Sequence, residues 1–241
     1  MRQVLITGAS SGIGKQLACD YADNNWNVIA CGQNQARLNE LENHHSSIQS
    51  LRFDVTDIES TKTALSQFTE LPDLIILNAG TCEYINEGVI DTALFKRVFN
   101  VNVFGILHCI EVLQDRFTER THIVIISSSA SFIPLPRAEA YGASKAAISY
   151  ISQTLALDLQ HKNIKVTLVN PGFVKTPLTD KNDFAMPMLV TPEFASQKIR
   201  HGIEVGKKEI HFPIVFTLFL KTIALLPFTL RMAVIKRITG K

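Results

Sequence analysis

The chain begins as a strand and runs straight into glycine: "QVLIT" at residues 3–7 is followed by "GASSGIG", with Gly8, Gly12 and Gly14. A strand that turns this tightly into a helix needs residues that accept unusual backbone angles. Missing side chains also let a diphosphate approach the helix N-terminus, where free N–H groups and the helix dipole meet negative charge. A glycine triplet alone is common and fits a bare βα turn. One that starts at residue 8, behind a strand and ahead of a helix, points to a phosphate cradle.

Six further apolar, β-branched runs follow: "NVIAC" (27–31), "SLRFDV" (50–55), "DLIILN" (73–78), "HIVIIS" (122–127), "KVTLVN" (165–170) and "EIHF" (209–212). Each is apolar on both faces, as strands of a helix-covered parallel sheet must be. Helical patterns fall between them at 12–24, 34–43, 57–69, 92–117, 140–161 and 192–205, the last opening on a Thr-Pro N-terminal signal. The alternation predicts an α/β fold, a doubly wound parallel (Rossmann-like) sheet in a single domain, with ligands at the carboxyl ends of the strands. No Pro/Gly-rich linker divides it; residues 1–213 form the body and 214–241 an apolar, basic helical extension of the same domain.

The chain's 241 residues suffice for a sizeable core, and a net charge of +2 with scattered basic residues argues against a nucleic-acid partner. Cys19, Cys31, Cys82 and Cys109 lack metal-ligand spacing, so no metal site is expected. They read as reduced thiols of a cytoplasmic protein. The strand pattern starts at once, leaving no room for a signal peptide.

"YGASKAA" at 141–147 sets an aromatic hydroxyl and an ammonium four positions apart, on one helix face. A solvated tyrosine titrates near ~10 and is a poor base at neutral pH. A neighbouring cation favours its phenolate, so Lys145 would draw Tyr141 towards neutrality. The plain alternative is an amphipathic helix surface.

The rest of the chain decides between them. The spacing Thr-Gly-x-x-x-Gly-x-Gly, "NAG" at 78–80, "NVNVFG" at 100–105, "ISSSAS" at 126–131, "YGASK" and "NPGFVKTP" at 170–177 together resemble the short-chain dehydrogenase/reductase family, over about residues 3 to 178. The resemblance implies hydride transfer between a nicotinamide and a carbonyl or secondary alcohol. It makes Tyr141 the general acid/base and Lys145 a ligand of the nicotinamide ribose. Ser128, thirteen residues before Tyr141, would hold the substrate oxygen, and Asn102 would anchor a water relaying protons to Lys145. Ser127 and Ser129 flank Ser128, and only the spacing selects among the three. The implied cofactor contacts are Gly8, Ser10, Ser11, Gly12, Ile13 and Gly14 in the first turn, then Gln33 and Arg37 after the second strand. They continue with Asp54 and Val55, Asn78 to Gly80, Tyr141 and Lys145, and Pro171, Gly172, Val174 and Thr176. Cys82 follows "NAG" with no chemical role, and His122, His161 and His211 read as packing or surface residues.

An acid at the end of the second strand would bind the adenosine ribose hydroxyls and repel a 2′-phosphate; Gly32 stands there instead. With Lys15 and Arg37 nearby, NADP(H) is favoured and NAD(H) is the other candidate. Phe184, Met186, Met188 and Leu189 form either an adaptable apolar lid over a lipophilic substrate or packing beneath their own loop. The last thirty residues suit two short helices around Pro227, too short to span a bilayer but fit for peripheral contact with the inner face of a membrane through 214–238. Contact with another subunit or substrate is the rival, and the resemblance implies a homodimer or homotetramer. The function from another class is a non-catalytic NAD(P)-binding redox sensor that docks through this tail; an epimerase or dehydratase on the same fold would want a larger substrate region.

Overall fold

The computed structural model describes residues 2–240; Met1 and Lys241, the outer ends of the two expected segments, lie outside the described residues. Seven parallel strands form one sheet in the order β3-β2-β1-β4-β5-β6-β7. They are β1 (Gln3–Thr7), β2 (Asn27–Gly32), β3 (Ile48–Arg52), β4 (Leu74–Leu77), β5 (His122–Ile126), β6 (Lys165–Pro171) and β7 (Glu209–Phe212). The period of two along each strand divides the core. Val4, Ile6, Val28, Ala30, Leu74, Ile76 and Val124 face helices α1 (Gly12–Asp23), α2 (Gln35–His44) and α7 (Pro192–Glu204). Leu5, Ile29, Ile75, Leu77, Ile123 and Ile125 face α3 (Ile58–Leu65), α5 (Gly105–Leu113) and α6 (Glu139–Asp158). The order reverses between β1 and β4, which opens a crevice at their carboxyl ends.

Three expectations need correction, the first being the helix expected over 57–69, which ends as α3 at Leu65. The third strand ends at Arg52, short of the apolar "FDV". It is the sheet's edge, paired only with β2, so most of its residues are partly exposed. Phe53 and Val55 leave the strand yet stay buried, because the chain turns there on Asp54, whose Oδ1 accepts from Thr56 N and Thr56 Oγ1 at 2.8 Å each. The expected helix 92–117 is broken: α4 (Thr92–Phe99) passes through a π-helical turn, Asn100–Phe104, before α5. Among the described residues this is the one helical stretch long and apolar enough to cross a bilayer. Its apolar side, with Ile106, Cys109, Ile110 and Leu113, lies in the core beneath the sheet.

At the start of β5, His122 Nε2 lies 2.9 Å from Thr167 Oγ1, whose own proton goes to Lys207 O. The hydroxyl can then only accept, so Nε2 carries the proton in neutral His122. Burial, aided by Lys165, lowers its pKa from 6.5 to about 4. Between those values the unfolded chain binds more protons, so unfolding free energy falls as pH drops, by up to about 3 kcal/mol. Urea unfolding at neutral pH and near pH 4 measures this. The expected outcome is a smaller acid loss in His122→Gln, which keeps a donor but cannot titrate; equal losses would exclude His122 as the cause.

The tail forms α8 (Ile214–Ala224) and α9 (Phe228–Thr239), broken at Pro227 as its sequence predicts. Leu220, Ile223 and Ile235 close a small core with Ile133, against Phe132 and Leu135 from the segment after β5.

Candidate active site

The first turn is closed in from three sides. Gly8 takes φ +67°, and a Cβ there would lie 2.8 Å from Ala79 Cα. At Gly12, φ +55°, a Cβ would come within 3.0 Å of Thr176 Cγ2. A Cβ on Gly14 would strike the Gly8 carbonyl and sit 2.6 Å from Asn78 Nδ2. Thr7 Oγ1 holds this arrangement by accepting from Asn78 N (2.9 Å) and Ala79 N (3.1 Å). Asn78 Nδ2 donates back to Thr7 O and Gly8 O. "NAG" is thus first a brace for the glycine turn. The N-cap residue of α1, Ser11, makes no side-chain cap, and the first turn has no acid, so its N–H groups are open to an anion.

The crevice is a cleft of about 500 Å³ running from Gly32 and Gln33 to Tyr141 and Thr176. Of the expected contacts, Gly8, Ser10 to Ile13, Gln33, Val55, Asn78 to Gly80, Tyr141, Lys145, Pro171, Gly172, Val174 and Thr176 line it, as does Ser128. Gly14, Arg37, Asp54 and Asn102 do not. Gly14 is buried behind the turn, Arg37 is exposed on α2, and Asp54 is engaged with Thr56. Asn102 is fully buried. The walls thus offer polar groups, bare backbone and a volume that fit a dinucleotide.

The π-helical turn gives Asn102 its position. Its Oδ1 accepts from Thr81 N at 2.8 Å, and its Nδ2 donates to Thr81 O and to Ser144 Oγ at 2.9 Å each. Ser144 in turn donates to Tyr141 O at 2.7 Å. Asn102 therefore ties the strand-four loop to the helix carrying the tyrosine, and its side chain is occupied by protein rather than turned to cleft water.

The three serines now separate. Ser127 Oγ donates to Lys145 O (2.9 Å) and shares a hydrogen bond with Ser149 Oγ (2.7 Å), while Ser129 is buried. Ser128 caps the short turn after β5, its hydroxyl accepting from Ala130 N, and it lines the cleft with Tyr141. Lys145 Nζ donates to Ile126 O at 2.9 Å and lies 5.9 Å from the Tyr141 ring centroid.

Electrostatics correct the expectation for Tyr141. Burial pushes its pKa up to about 12, Cys82 adding to the rise and the nearby Ser128 opposing it. Burial lowers Lys145 to about 8. The Lys145 ammonium is bonded to the Ile126 carbonyl, and desolvation dominates the shift of the phenol. Burial in the cleft wall therefore favours the protonated phenol of Tyr141.

Several cleft residues escaped the sequence reading: Thr7, Phe53, Thr81, Val101, Leu178 and Thr179. Thr179 Oγ1 takes the Thr176 N–H at 2.9 Å and donates to Val174 O, folding the loop against Gly12. The Thr-x-x-Thr spacing was the available signal. Beyond it, Phe184, Met188 and Leu189 are exposed in part and Met186 is partly buried. Phe184 stands edge-on to Tyr84 and Phe173, Tyr84 Oη donates to Asn182, and Arg137 pairs with Asp183.

A family model described as short chain dehydrogenase matches residues 2–186. The chain belongs to the short-chain dehydrogenase/reductase family. An uncharacterized oxidoreductase of Myxococcus xanthus is 34% identical over 221 residues, covering 88% of this chain and 87% of its own length. Two solved structures share the fold: a short-chain dehydrogenase/reductase from Burkholderia phymatum in complex with NAD (TM-score 0.81, 20% identity, 91% and 92% of the two chains) and a short-chain dehydrogenase from Sphingobium yanoikuyae in complex with NADPH (0.80, 24%, 88% and 88%). This short-chain dehydrogenase is an NAD(P)-dependent oxidoreductase, its cleft at the crevice where such sheets bind ligands.

Proposed function

We propose that the enzyme transfers a hydride between NADP(H) and a lipophilic carbonyl or secondary alcohol, with Tyr141 as the general acid/base. The observation that carries this reading is that Tyr141, Ser128 and Lys145 line the same cleft as the glycine turn. The nicotinamide, when bound, supplies or accepts the hydride. In reduction, Tyr141 gives its proton to the carbonyl oxygen while Ser128 donates a hydrogen bond to the charge developing there. A phenol held protonated suits that direction. Lys145, buried and anchored on Ile126 O, would meet the nicotinamide ribose and restore the proton to Tyr141. Asn102 acts as a positioning residue through Ser144. Residues 1–213 would be the nucleotide-binding catalytic part and 214–241 its extension.

The cofactor preference rests on Gly32, with Ser10 Oγ beside it and Gln33 and Asn34 on the wall. Neither Lys15 nor Arg37 lines the cleft, so neutral hydrogen bonds and the start of α2 would hold a 2′-phosphate. A Cβ on Gly32 would lie 3.4 Å from Ser10 Oγ, leaving room for a side chain. Gly32→Asp is therefore expected to fold, to lose NADPH affinity by about tenfold or more, and to gain NADH affinity. Fluorescence titration of both nucleotides checks it; unchanged preference would remove Gly32 as the determinant.

The first test of the function is NADPH and NADH binding to wild-type protein, followed by NADPH oxidation with lipophilic ketones and aldehydes. Turnover supports the reading. Binding without turnover on any of them supports the non-catalytic sensor, and no binding by folded protein overturns both. The four free cysteines fit a cytoplasmic setting, with peripheral contact at the inner membrane face through 214–238. Exposed Phe104, Tyr150 and Leu157, on the π-helical turn and α6, would carry a homodimer or homotetramer contact.

A further inference from the structure

The outward side of the tail is apolar at helical spacing. Ile214, Val215, Leu218, Phe219 and Leu225 follow one face of α8 and its end, all exposed, while Thr217, Leu220 and Ile223 on the other side are buried. Val215 is 71% exposed, Leu225 86% and Phe228 70%, which is far from ordinary for large apolar side chains grouped together. On α9, Phe228, Met232 and Lys236 recur every four residues on an exposed stripe, with Arg237 beside the last.

Charge identifies the occupant. Residues 210–240 hold four cations and no carboxylate, although the whole chain carries 22 acidic residues. Lys221 is paired with Glu209, and Arg231 is partly buried with one bond to Ala224 O. Lys236 and Arg237 remain exposed at the rim of the apolar face. A second copy meeting this patch about a two-fold axis would bring those cations towards their own images with no acid to neutralise them. An anionic lipid surface satisfies both halves, taking the apolar side chains below the headgroups and the cations among them.

We infer that the exposed face of α8 and α9, centred on Val215, Leu225 and Phe228 and rimmed by Lys236 and Arg237, is a docking surface for an anionic bilayer. The inner side of α8 reaches the cleft: Phe216 packs on Phe173, and its Cδ1 lies 3.1 Å from where a Cβ on Gly172 would be. Docking therefore holds the cleft about one helix diameter, ~10 Å, from the lipid. This deepens the lipophilic-substrate reading, which supplies its purpose, while the docking itself does not depend on turnover.

The test is co-sedimentation of the full chain with vesicles of phosphatidylcholine, with and without phosphatidylglycerol, alongside NADPH titration of the same samples. Wild type is expected to bind the anionic vesicles at least about tenfold better than the neutral ones, and less well in high salt. Leu225→Glu/Phe228→Glu is expected to abolish sedimentation, and Lys236→Gln/Arg237→Gln to remove the preference for anionic lipid, both with unchanged NADPH affinity. Folded, NADPH-binding wild type that ignores anionic vesicles overturns the docking surface and leaves the enzyme reading standing. So does self-association of wild type that the Glu pair disperses without vesicle binding. Vesicle binding with no NADPH affinity overturns the enzyme reading alone.

Discussion

Tyr141→Phe is expected to lower turnover by ~100- to 10,000-fold while nucleotide affinity stays within a factor of about two. The substitution removes one oxygen. The ring remains on the first turn of α6, tied through its carbonyl to Ser144 and Asn102, so the backbone has no cause to move. What is lost is the proton donor, about 3 to 5 kcal/mol of barrier at that range of rates. The pH dependence carries a second, independent sign. Oxidation of an alcohol needs the phenolate, and the free protein holds Tyr141 up at about 12, so the wild-type oxidation rate should rise with pH as the bound nicotinamide cation pulls that value down. The residual rate of the variant should lack this limb. Stopped-flow single turnovers over a pH series measure both; a variant that keeps its rate and its pH limb would reassign the acid/base.

Gly14→Ala is expected to have the largest effect on the fold itself. The added methyl meets the Gly8 carbonyl and Asn78 Nδ2, and neither can retreat. Asn78 Nδ2 is bonded to Thr7 O and Gly8 O, and Gly8 is wedged against Ala79. Overpacking a rigid site of this kind costs about 3 kcal/mol, on the order of 10 °C in Tm for a chain of this size. Because the same turn presents the helix N-terminus to the cleft, NADPH affinity should fall by more than about tenfold in whatever protein folds. Gly206→Ala is the control: φ is +70° there and nothing lies within 4 Å, so only the left-handed penalty of about 1 kcal/mol applies and NADPH binding is untouched. Equal melting of the two variants would mean that the first turn yields more easily than its contacts imply.

The parts of this molecule written as local patterns were legible in advance. The seven strands and their parallel arrangement follow from short β-branched runs alternating with helical periodicity, and all but the third strand begin and end within a residue of expectation. That strand was misjudged because Phe53 and Val55 are apolar for the sake of the cleft and the core, not of pairing. The π-helical turn left no trace in the 92–117 pattern, since one extra residue in a turn shifts an apolar stripe without interrupting it. Tyr141, Lys145, Ser128, Gly8 and Gly12 stand out in the sequence by spacing that resembles the family's, and they line one cleft. Their charges do not. Whether a lysine lowers a nearby phenol depends on where its ammonium is bonded, and the Ile126 carbonyl belongs to β5 and not to the helix that carries both residues. Asp54 and Asn102 likewise stand at expected positions with unexpected partners.

Thr7 Oγ1 receives its two amide protons from residues 71 and 72 positions further along the chain. A ribosome must therefore add 71 further residues after Thr7 before the phosphate turn acquires the brace that shapes it. Until then the glycines lack that brace, and the loop that closes them needs Thr176, far beyond Asn78 in the sequence. Recognition of the nucleotide in this sense waits for residues made long after the turn itself, and a bound dinucleotide would act as a clasp between stretches of chain synthesised well apart in time.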